Sequence, residues 1–245
     1  MNKTKIDWCD MTWNPVTGCL HGCEYCYARK IAERFGKHMP VPDGTKLAVN
    51  DGLLWSGQKI AYPYDFLPTF HRYRLDEPAR IKKPQTIFVC SMADLFGDWV
   101  PDEWIQAVYK ACEAAPWHTF LFLTKNPVRY RKIQSKGMLP HEHWYGTTAT
   151  VNCEYFSHSL YRTFVSIEPM LRPVVVDRRP QQALPEWVII GAETGNSKDR
   201  VVPEKKWIDD VAIECKRGSV PIFMKESLRR LMDIDFVQEF PWEVS

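Results

Sequence analysis

The order of elements along the chain predicts an α/β protein whose strands run parallel. Short runs rich in branched and aromatic residues alternate with stretches of helical pattern, which is typical of right-handed βαβ units. The runs are apolar at consecutive positions, as in strands that are buried on both faces of a parallel sheet. Six or seven such units fit a partial or closed (β/α) barrel, and a doubly wound open sheet fits the pattern nearly as well.

Seven strands are predicted, and each of the last six is a short, continuous apolar run. The first and shortest strand lies within residues 12–18. The six apolar runs cover residues 86–90, 119–123, 144–148, 163–167, 187–191 and 221–224. Runs of this length, enriched in branched and aromatic side chains, favour strands over helices.

Four helices are predicted between these strands, over residues 24–36, 101–115, from 126 onward and 203–216. The first ends at Gly36. The second carries Asp102 and Glu103 in its first turn, where the helix dipole favours acidic side chains. The third has Asn126 as its expected N-cap and Pro127 at its first helical position, where a missing backbone N–H is tolerated.

Residues 37–84 break this alternation, because they are rich in Gly, Pro and aromatic residues. A loop this long inside a compact domain is usually a functional lid or disordered, and the aromatic content argues against disorder. We therefore predict one domain over residues 1–245, with residues 37–84 as an insertion packed over one mouth of the barrel. A structural flap without a role in substrate binding fits the segment equally well.

The bulk composition is that of an ordinary globular protein, with 245 residues, 45% hydrophobic and 25% charged. A net charge of +2 gives no strong overall attraction for nucleic acid, although it leaves room for a local basic face. No apolar run approaches the length of a transmembrane helix, so we expect no membrane insertion. The first residues lack the apolar core of a signal peptide, and eight cysteines are too few for a disulfide scaffold. Together these features predict a reducing, cytoplasmic location.

Three cysteines stand close together near the start of the chain, where Cys19, Cys23 and Cys26 form a C-x3-C-x2-C pattern. Three thiolates are one ligand short of a closed tetrahedral zinc site, but they suit a [4Fe-4S] cluster that leaves one iron open for another ligand. A zinc site completed by His21 or Cys9 is the main alternative, and unpaired core cysteines are another. The remaining cysteines are scattered and are expected to be small buried apolar residues: Cys90, Cys112, Cys153 and Cys215.

The cysteine spacing resembles that of the radical S-adenosylmethionine (SAM) superfamily, and longer blocks resemble the phage Gp37/Gp68-like family. The blocks are MTWNPVTGC at residues 11–19, SMADLF at 91–96, SIEPML at 166–171 and VIIGAETG at 188–195. The similarity reaches from the N-terminus to about residue 226, nearly the whole chain. In one departure, the phage family has a longer gap between its first two cysteines, whereas the gap here is the standard radical-SAM one.

This resemblance implies a [4Fe-4S] cluster held by the three cysteines, with SAM chelating the open iron. One electron, from a reductant of the flavodoxin or ferredoxin type, would split SAM into methionine and a 5′-deoxyadenosyl radical that abstracts hydrogen from a substrate. The resemblance also implies a partial (β/α)6-type barrel. The alternative class of function is a non-catalytic zinc-binding module that recruits nucleic acid or a protein partner.

Polar residues follow most of the predicted strands, and ligands of parallel α/β sheets lie at the carboxyl ends of the strands. The candidates, in chain order, are Ser91, Asp94, Thr124, Lys125, Asn126, Thr147, Thr148, Ser166, Glu168, Glu193, Thr194, Lys225 and Glu226. Acidic and basic groups in alternation suit a zwitterion such as SAM. Three of the candidates, Ser91, Asn126 and Thr194, are equally well placed as helix caps.

A further similarity, to spore photoproduct lyase-type radical SAM enzymes, implies roles for four residues. Ser91 with Asp94, and Thr124 with Lys125, occupy places from which those enzymes contact the methionine part of SAM, although here the Ser and the Asp are not adjacent. Asp94 would accept from the SAM ammonium, and Lys125 would pair with the SAM carboxylate. The resemblance to the radical SAM superfamily as a whole implies that Tyr25, directly before the third cysteine, contacts adenine, and the alternative for it is a core ring.

The remaining assignments concern the later strands. Thr147, Ser166 and Glu168 are assigned to cofactor binding, with Glu168 as a contact of the ribose or of the substrate. Glu193 and Lys225 are assigned to catalysis on the substrate, because their strands close the far side of the predicted barrel. A buried salt bridge between Glu193 and Lys225 is the structural alternative.

The substrate is the least determined part of the prediction. The phage resemblance suggests a nucleotide or a DNA base, ahead of a peptide or a small metabolite. Basic residues interleave with aromatic residues in the insertion, and such a mixture can bind nucleic acid by phosphate contact and base stacking. These residues are Lys59, Arg72, Arg74, Arg80, Lys82 and Lys83. We favour a solvated basic face as their simpler interpretation.

Overall fold

The structure is a computed structural model that describes residues 1–41, 44–150, 154–176, 183–194 and 200–243. Its packing divides the chain into two compact units, Met1–Pro140 and His141–Ser245. Both units are mixed α/β, and the strands of their main sheets are mostly parallel, which confirms the predicted fold class at this level. A single domain over residues 1–245 stays a prediction beside this division. Within the described ranges, the helices are too short or too polar to cross a membrane.

The elements of the first unit alternate between short strands and helices. In chain order they are β1 (Asn2–Lys3), β2 (Met11–Trp13), β3 (Val16–Thr17), α1 (Tyr27–Phe35), β4 (Ala48–Asn50), β5 (Leu54–Trp55), β6 (Gln58–Lys59), β7 (Thr69–His71), α2 (Glu77–Arg80), β8 (Thr86–Val89), α3 (Asp102–Glu113), β9 (Thr119–Thr124) and α4 (Pro127–Ser135). A short 3-10 helix, Arg72–Arg74, follows β7.

The main sheet of the first unit has the strand order β1-β2-β8-β9. Strand β1 is antiparallel to β2, whereas β2, β8 and β9 are parallel to one another. The predicted strand at 86–90 ends one residue early, because Cys90 has a φ of 59° and turns the backbone out of the sheet. Helix α3 covers this sheet, with the Tyr109 ring packed edge to face against Phe122 of β9 at 5.4 Å. This contact is part of the core of the unit.

The predicted insertion at 37–84 has strands of its own. Strands β3, β7 and β4 form a three-stranded sheet, and β5 and β6 form an antiparallel hairpin. The side chain of Asn50 is buried at the end of β4, and its Oδ1 accepts from the N–H groups of Gly52 and Leu53 at 2.9 and 2.8 Å. Its Nδ2 donates to the carbonyl of Ile60 at 3.1 Å. One buried amide therefore holds both ends of the hairpin.

The second unit contains β10 (Trp144–Thr148), β11 (Arg162–Ile167), β12 (Trp187–Ile190), α5 (Lys205–Arg217), β13 (Ile222–Met224) and α6 (Arg229–Met232). Its four strands are parallel and lie in chain order. Branched side chains of the strands pack against α5, and the central residues of this cluster are Val165, Ile167, Val188, Ile190, Ile208, Val211 and Cys215. The predicted strands and the last helix are therefore confirmed within one or two residues at each end.

No disulfide links any two of the seven cysteines that the structure describes. Cys90, Cys112 and Cys215 are buried, as expected for small apolar residues. Cys153 lies outside the described residues.

Candidate functional site

The three motif cysteines lie on the loop between β3 and α1, and the loop begins at a glycine that no other residue could replace without strain. Gly18 has a φ of 84°, and a Cβ added there would lie 2.3 Å from the carbonyl oxygen of Leu67. Its N–H donates to the carbonyl of Met92 at 2.9 Å, and the N–H of Cys19 donates to Phe66 at 3.3 Å. The start of the loop is therefore fixed against two other segments.

The far end of the loop is fixed by the helix that follows it. Cys26 is the N-cap of α1, and its Sγ accepts from the N–H of Arg29 at 3.4 Å. The predicted helix consequently begins at Tyr27 instead of residue 24, because the third cysteine ends the loop. Behind Cys19 and Cys26 lies a small apolar cluster of Ala28, Ala32, Phe66 and Met92.

The three thiols are half-buried and influence one another electrostatically. Burial is the main reason that the pKa of the Cys19 thiol rises to about 12, and negative charge on Asp94, Cys23 and Cys26 raises it further. A free Cys19 is therefore a neutral thiol, and a metal would have to displace its proton.

Three sulfur donors on one short loop form the donor set that an iron–sulfur cluster or a zinc ion takes, so their chemistry fits the implied cluster. Among the residues that the structure describes, no three His, Cys, Asp or Glu side chains lie close enough together to hold a metal ion. Holding one would require the side chains of Cys19, Cys23 and Cys26 to converge.

Beneath the loop lies Asp94, whose side chain is buried and accepts from four protein donors. The Thr124 hydroxyl lies 2.7 and 3.0 Å from its two oxygens, and the N–H groups of Lys125 and Phe96 lie at 2.9 and 3.0 Å. The fourth donor is His21. Burial alone would raise the pKa of Asp94, but the hydrogen bonds outweigh burial and lower the pKa. Another donor, such as the ammonium expected from SAM, would have to displace one of the four.

His21 connects the cysteine loop to these strand ends. Its Nε2 donates to Asp94 Oδ2 at 2.7 Å, and its ring packs edge to face on Trp99 at 4.8 Å. From the sequence, His21 is expected to be either a zinc ligand or an exposed side chain, and neither expectation includes a hydrogen bond to Asp94. Asp94 lies 73 residues away, so the pairing leaves no local signal in the sequence.

The other predicted residues of the first unit lie around this loop. The Nζ of Lys125 is 5.8 Å from the centre of the Tyr25 ring. The Ser91 hydroxyl donates to Asn14 Oδ1 at 3.2 Å, and the Ser91 carbonyl accepts from the hydroxyl of Tyr27 at 2.6 Å. Ser91 therefore does not cap a helix.

Asn126 stands at the N-cap position of α4, as predicted, but its side chain makes no cap hydrogen bond. Its amide donates to the carbonyl of Phe96 and to Asp98, both at 3.1 Å. Asn126 thus joins the two strand ends that Asp94 also joins.

Two of the candidates in the second unit lie at adjacent strand ends. Thr147 Oγ1 accepts from the N–H of Phe156 at 3.1 Å. Ser166 pairs with Thr148 across β10 and β11, and its hydroxyl is buried without a hydrogen-bond partner among the described residues. A buried hydroxyl without a partner costs free energy, so Ser166 is a candidate for contact with a ligand.

Glu168 and Lys225 form an ion pair whose side chains are 29% and 17% exposed. Gly191 lies against the pair, since a Cβ there would be 2.9 Å from Lys225 Cδ and 3.3 Å from Glu168 Cγ. Glu193 Oε2 accepts from the N–H of Val201 at 3.1 Å. The salt bridge considered for Glu193 and Lys225 is therefore wrong, and Lys225 pairs with Glu168.

Comparisons with known proteins give a family and a fold. A protein-family model described as "Protein of unknown function (DUF5131)" matches residues 3–229. No curated protein matches the sequence. A cysteine-to-serine mutant of spore photoproduct lyase has a similar structure, with a TM-score of 0.51 and 10% identity over 91% of this chain and 79% of that chain.

A second structure, spore photoproduct lyase complexed with a dinucleoside spore photoproduct, aligns with a TM-score of 0.47 and 10% identity. That alignment covers 86% of this chain and 75% of the other. At this identity the likeness shows the fold alone. The fold is similar to that of spore photoproduct lyase.

Proposed function

The chain belongs to the DUF5131 family, whose description assigns no function, and we propose that it is a radical SAM enzyme on a partial (β/α)6-type barrel. One observation carries the proposal, namely the C-x3-C-x2-C loop that is fixed at both ends beside the carboxyl ends of β8 and β9. The similarity of fold to spore photoproduct lyase supports it without adding an activity. The resemblance to the phage Gp37/Gp68-like family stays a prediction.

In this proposal, Cys19, Cys23 and Cys26 hold a [4Fe-4S] cluster. When bound, the cluster supplies the electron that cleaves SAM, and it receives that electron from a flavodoxin- or ferredoxin-type reductant in a reducing, cytoplasmic setting. Lys125 stands next to Tyr25, where it can pair with the SAM carboxylate while the ring faces adenine. Both side chains lie in the same unit as the cysteines.

Asp94 holds the loop through His21, and its charge favours the positive end of a zwitterion nearby. This is a positioning role, in addition to the direct contact with SAM that the sequence predicts for Asp94. Ser91, already bound to Asn14, would contribute by the order it gives to the chain after β8.

The remaining predicted residues belong to the second unit. Ser166 offers a buried hydroxyl that lacks a partner among the described residues, and Thr147 ends the adjacent strand. Glu168 and Lys225 form a half-buried ion pair that a polar ligand could open. With Glu193, they are proposed to contact the ribose or the substrate. A nucleotide or a nucleobase is the proposed substrate class, with a peptide or a small metabolite as the alternative.

The test is anaerobic reconstitution of the full chain with iron and sulfide, followed by dithionite and SAM. We expect a brown protein with four irons per chain and release of 5′-deoxyadenosine. Cys19→Ala, Cys23→Ala and Cys26→Ala should each abolish both results, whereas Cys215→Ala, a buried cysteine in the second unit, should abolish neither. A colourless protein that holds one zinc and never cleaves SAM would favour the zinc-binding module.

A further inference from the structure

The charge of the chain is distributed unevenly. Residues 27–83 carry eleven Lys and Arg against six Asp and Glu, a net charge of +5. The rest of the chain carries 21 against 24, a net charge of −3. The overall value of +2 therefore hides a strongly basic segment, which comprises α1 and the insertion that follows it.

The hairpin β5–β6 presents its apolar side chains to solvent. Leu54 is 62% exposed and Trp55 is 54% exposed. The two turn residues, Ser56 and Gly57, have φ values of 51° and 78°, the left-handed pair that a two-residue hairpin turn requires. Since Asn50 fixes both ends of the hairpin, the exposed indole is held at a defined place.

Exposed rings on this surface are each accompanied by a cation. Lys37 Nζ lies 5.6 Å from the centre of the Trp55 ring. The guanidinium of Arg34 lies 5.3 Å from the ring of Phe35, which is 57% exposed. A third couple joins Lys59 Nζ to the half-buried Tyr73 at 4.4 Å. We call Arg34, Phe35, Lys37, Leu54, Trp55 and Lys59 the ring–cation surface.

The neighbouring acidic groups do not cancel this charge. Asp51 pairs with Arg72 at 3.1 Å, and Asp65 pairs with His38 at 2.9 Å. The net charge of +5 for residues 27–83 already counts both carboxylates, so the surface stays basic in their presence.

From these observations we propose that the ring–cation surface binds single-stranded nucleic acid. An exposed ring next to a cation offers a face for base stacking and a charge for the adjoining phosphate. A duplex has no unstacked base to place on Trp55, and a purely acidic peptide would need the lysines but not the rings. The observations therefore favour an unpaired strand over both.

The catalytic role of this surface rests on the proposed function. In that role, the bound single strand would present a base to the radical site. Helix α1 spans the nine residues Tyr27–Phe35, about 14 Å, and Cys26 is its N-cap. A strand held at Arg34 and Phe35 therefore lies one short helix away from the third cysteine. Binding itself needs no cluster and can be measured independently.

The experiment measures fluorescence anisotropy of labelled dT12 and rU12 across a salt series. The full chain is tested as purified and after anaerobic reconstitution. Trp55→Ala should weaken binding by about fivefold or more, since base–aromatic stacking is worth about 1–3 kcal/mol, and Trp55→Tyr should restore most of it. The double variant Lys37→Ala/Lys59→Ala should lower the slope of log Kobs against log[salt] by about 1.4. A charge-matched control, Lys110→Ala/Lys216→Ala, changes exposed lysines elsewhere and should leave the slope unchanged.

Equal affinities for dT12 and rU12 would mean that the surface accepts either DNA or RNA, and a preference would identify which of the two it binds. Both outcomes support the proposal. Several results would overturn it: no salt-dependent binding, unchanged binding in Trp55→Ala, or equal binding of poly-glutamate. If the chain cleaves SAM but does not bind single-stranded nucleic acid, the binding surface is rejected and the radical SAM proposal is kept. Binding without any SAM cleavage would leave the surface standing and reject the enzyme.

Discussion

Replacing Asp94 with Asn removes the negative charge beneath the cysteine loop and measures how far the loop depends on it. An Asn amide offers one oxygen where the carboxylate offers two. Its NH2 group must then face either the N–H of Lys125 or the N–H of Phe96, because these two donors approach different carboxylate oxygens. Whichever way the amide turns, one buried donor loses its acceptor.

The size of the effect follows from these contacts. A buried donor without an acceptor costs about 1–3 kcal/mol, and the surviving hydrogen bonds weaken from charged to neutral strength. We therefore expect Asp94→Asn to lower the free energy of unfolding by about 3 kcal/mol. His21→Ala should cost about 1 kcal/mol, since the side chain of His21 is 22% exposed and water can replace its donor. Because the two residues share a hydrogen bond, the double variant should fall short of additivity by about 1 kcal/mol.

The assay is urea denaturation of the full chain at neutral pH, followed by tryptophan fluorescence. Asp98→Asn is the matched control, because its side chain is 70% exposed and an amide keeps an acceptor for Asn126. It should change the free energy of unfolding by less than about 0.5 kcal/mol. An Asp94→Asn effect no larger than that of the control, or strict additivity with His21→Ala, would refute the reasoning.

Three further predictions concern other parts of the structure. In urea denaturation, Gly18→Ala should lower the free energy of unfolding by more than about 2 kcal/mol and Gly22→Ala by about 1 kcal/mol. Both glycines have a positive φ, but only at Gly18 would the added Cβ meet a neighbouring carbonyl, so equal losses would contradict the close contact. Burial lowers the pKa of His71 in the folded chain to about 2. Below pH 6.5 the unfolded chain therefore binds a proton at His71 that the folded chain does not bind. Stability should fall as the pH drops below 6.5, and His71→Gln should reduce that slope by about 1.4 kcal/mol per pH unit; a parallel slope would rule this out. Lys225→Met should lower stability more than the double variant Glu168→Gln/Lys225→Met, because only the single variant leaves the half-buried Glu168 carboxylate without its partner. The reverse order would show that the ion pair does not determine the effect.

Long apolar strands were predictable, and the short strands of the insertion were not. Strand β9 and strand β11 each bury a run of branched and aromatic residues, and such a run is visible without any partner. Strands β4 and β5 have three and two residues, too few for any periodicity. Their pairing depends on Asn50 and on the Ser56–Gly57 turn, which act through tertiary contacts and through backbone conformation.

The candidate site was also predictable only in part. The rule that ligands lie at the carboxyl ends of parallel strands placed Asp94 and Lys125 together, since β8 and β9 are adjacent. It could not show that His21 donates to Asp94, or that Lys225 pairs with Glu168 in preference to Glu193. Partner choice among several charges depends on angstrom-scale distances that the spacing of residues along a chain does not contain.

The buried amide of Asn50 also has a consequence for how the sequence can vary. Its Nδ2 donates to Nδ1 of His71 at 3.1 Å, and the other ring nitrogen of His71 donates to Thr17 at 2.8 Å, two residues before Cys19. The hairpin and the cysteine loop thus share one internal support. Substitutions at the hairpin tip can alter what the surface recognises while the support stays intact, whereas a change at Asn50 would disturb both. Recognition can therefore diversify at the tip without altering the chemistry at the loop.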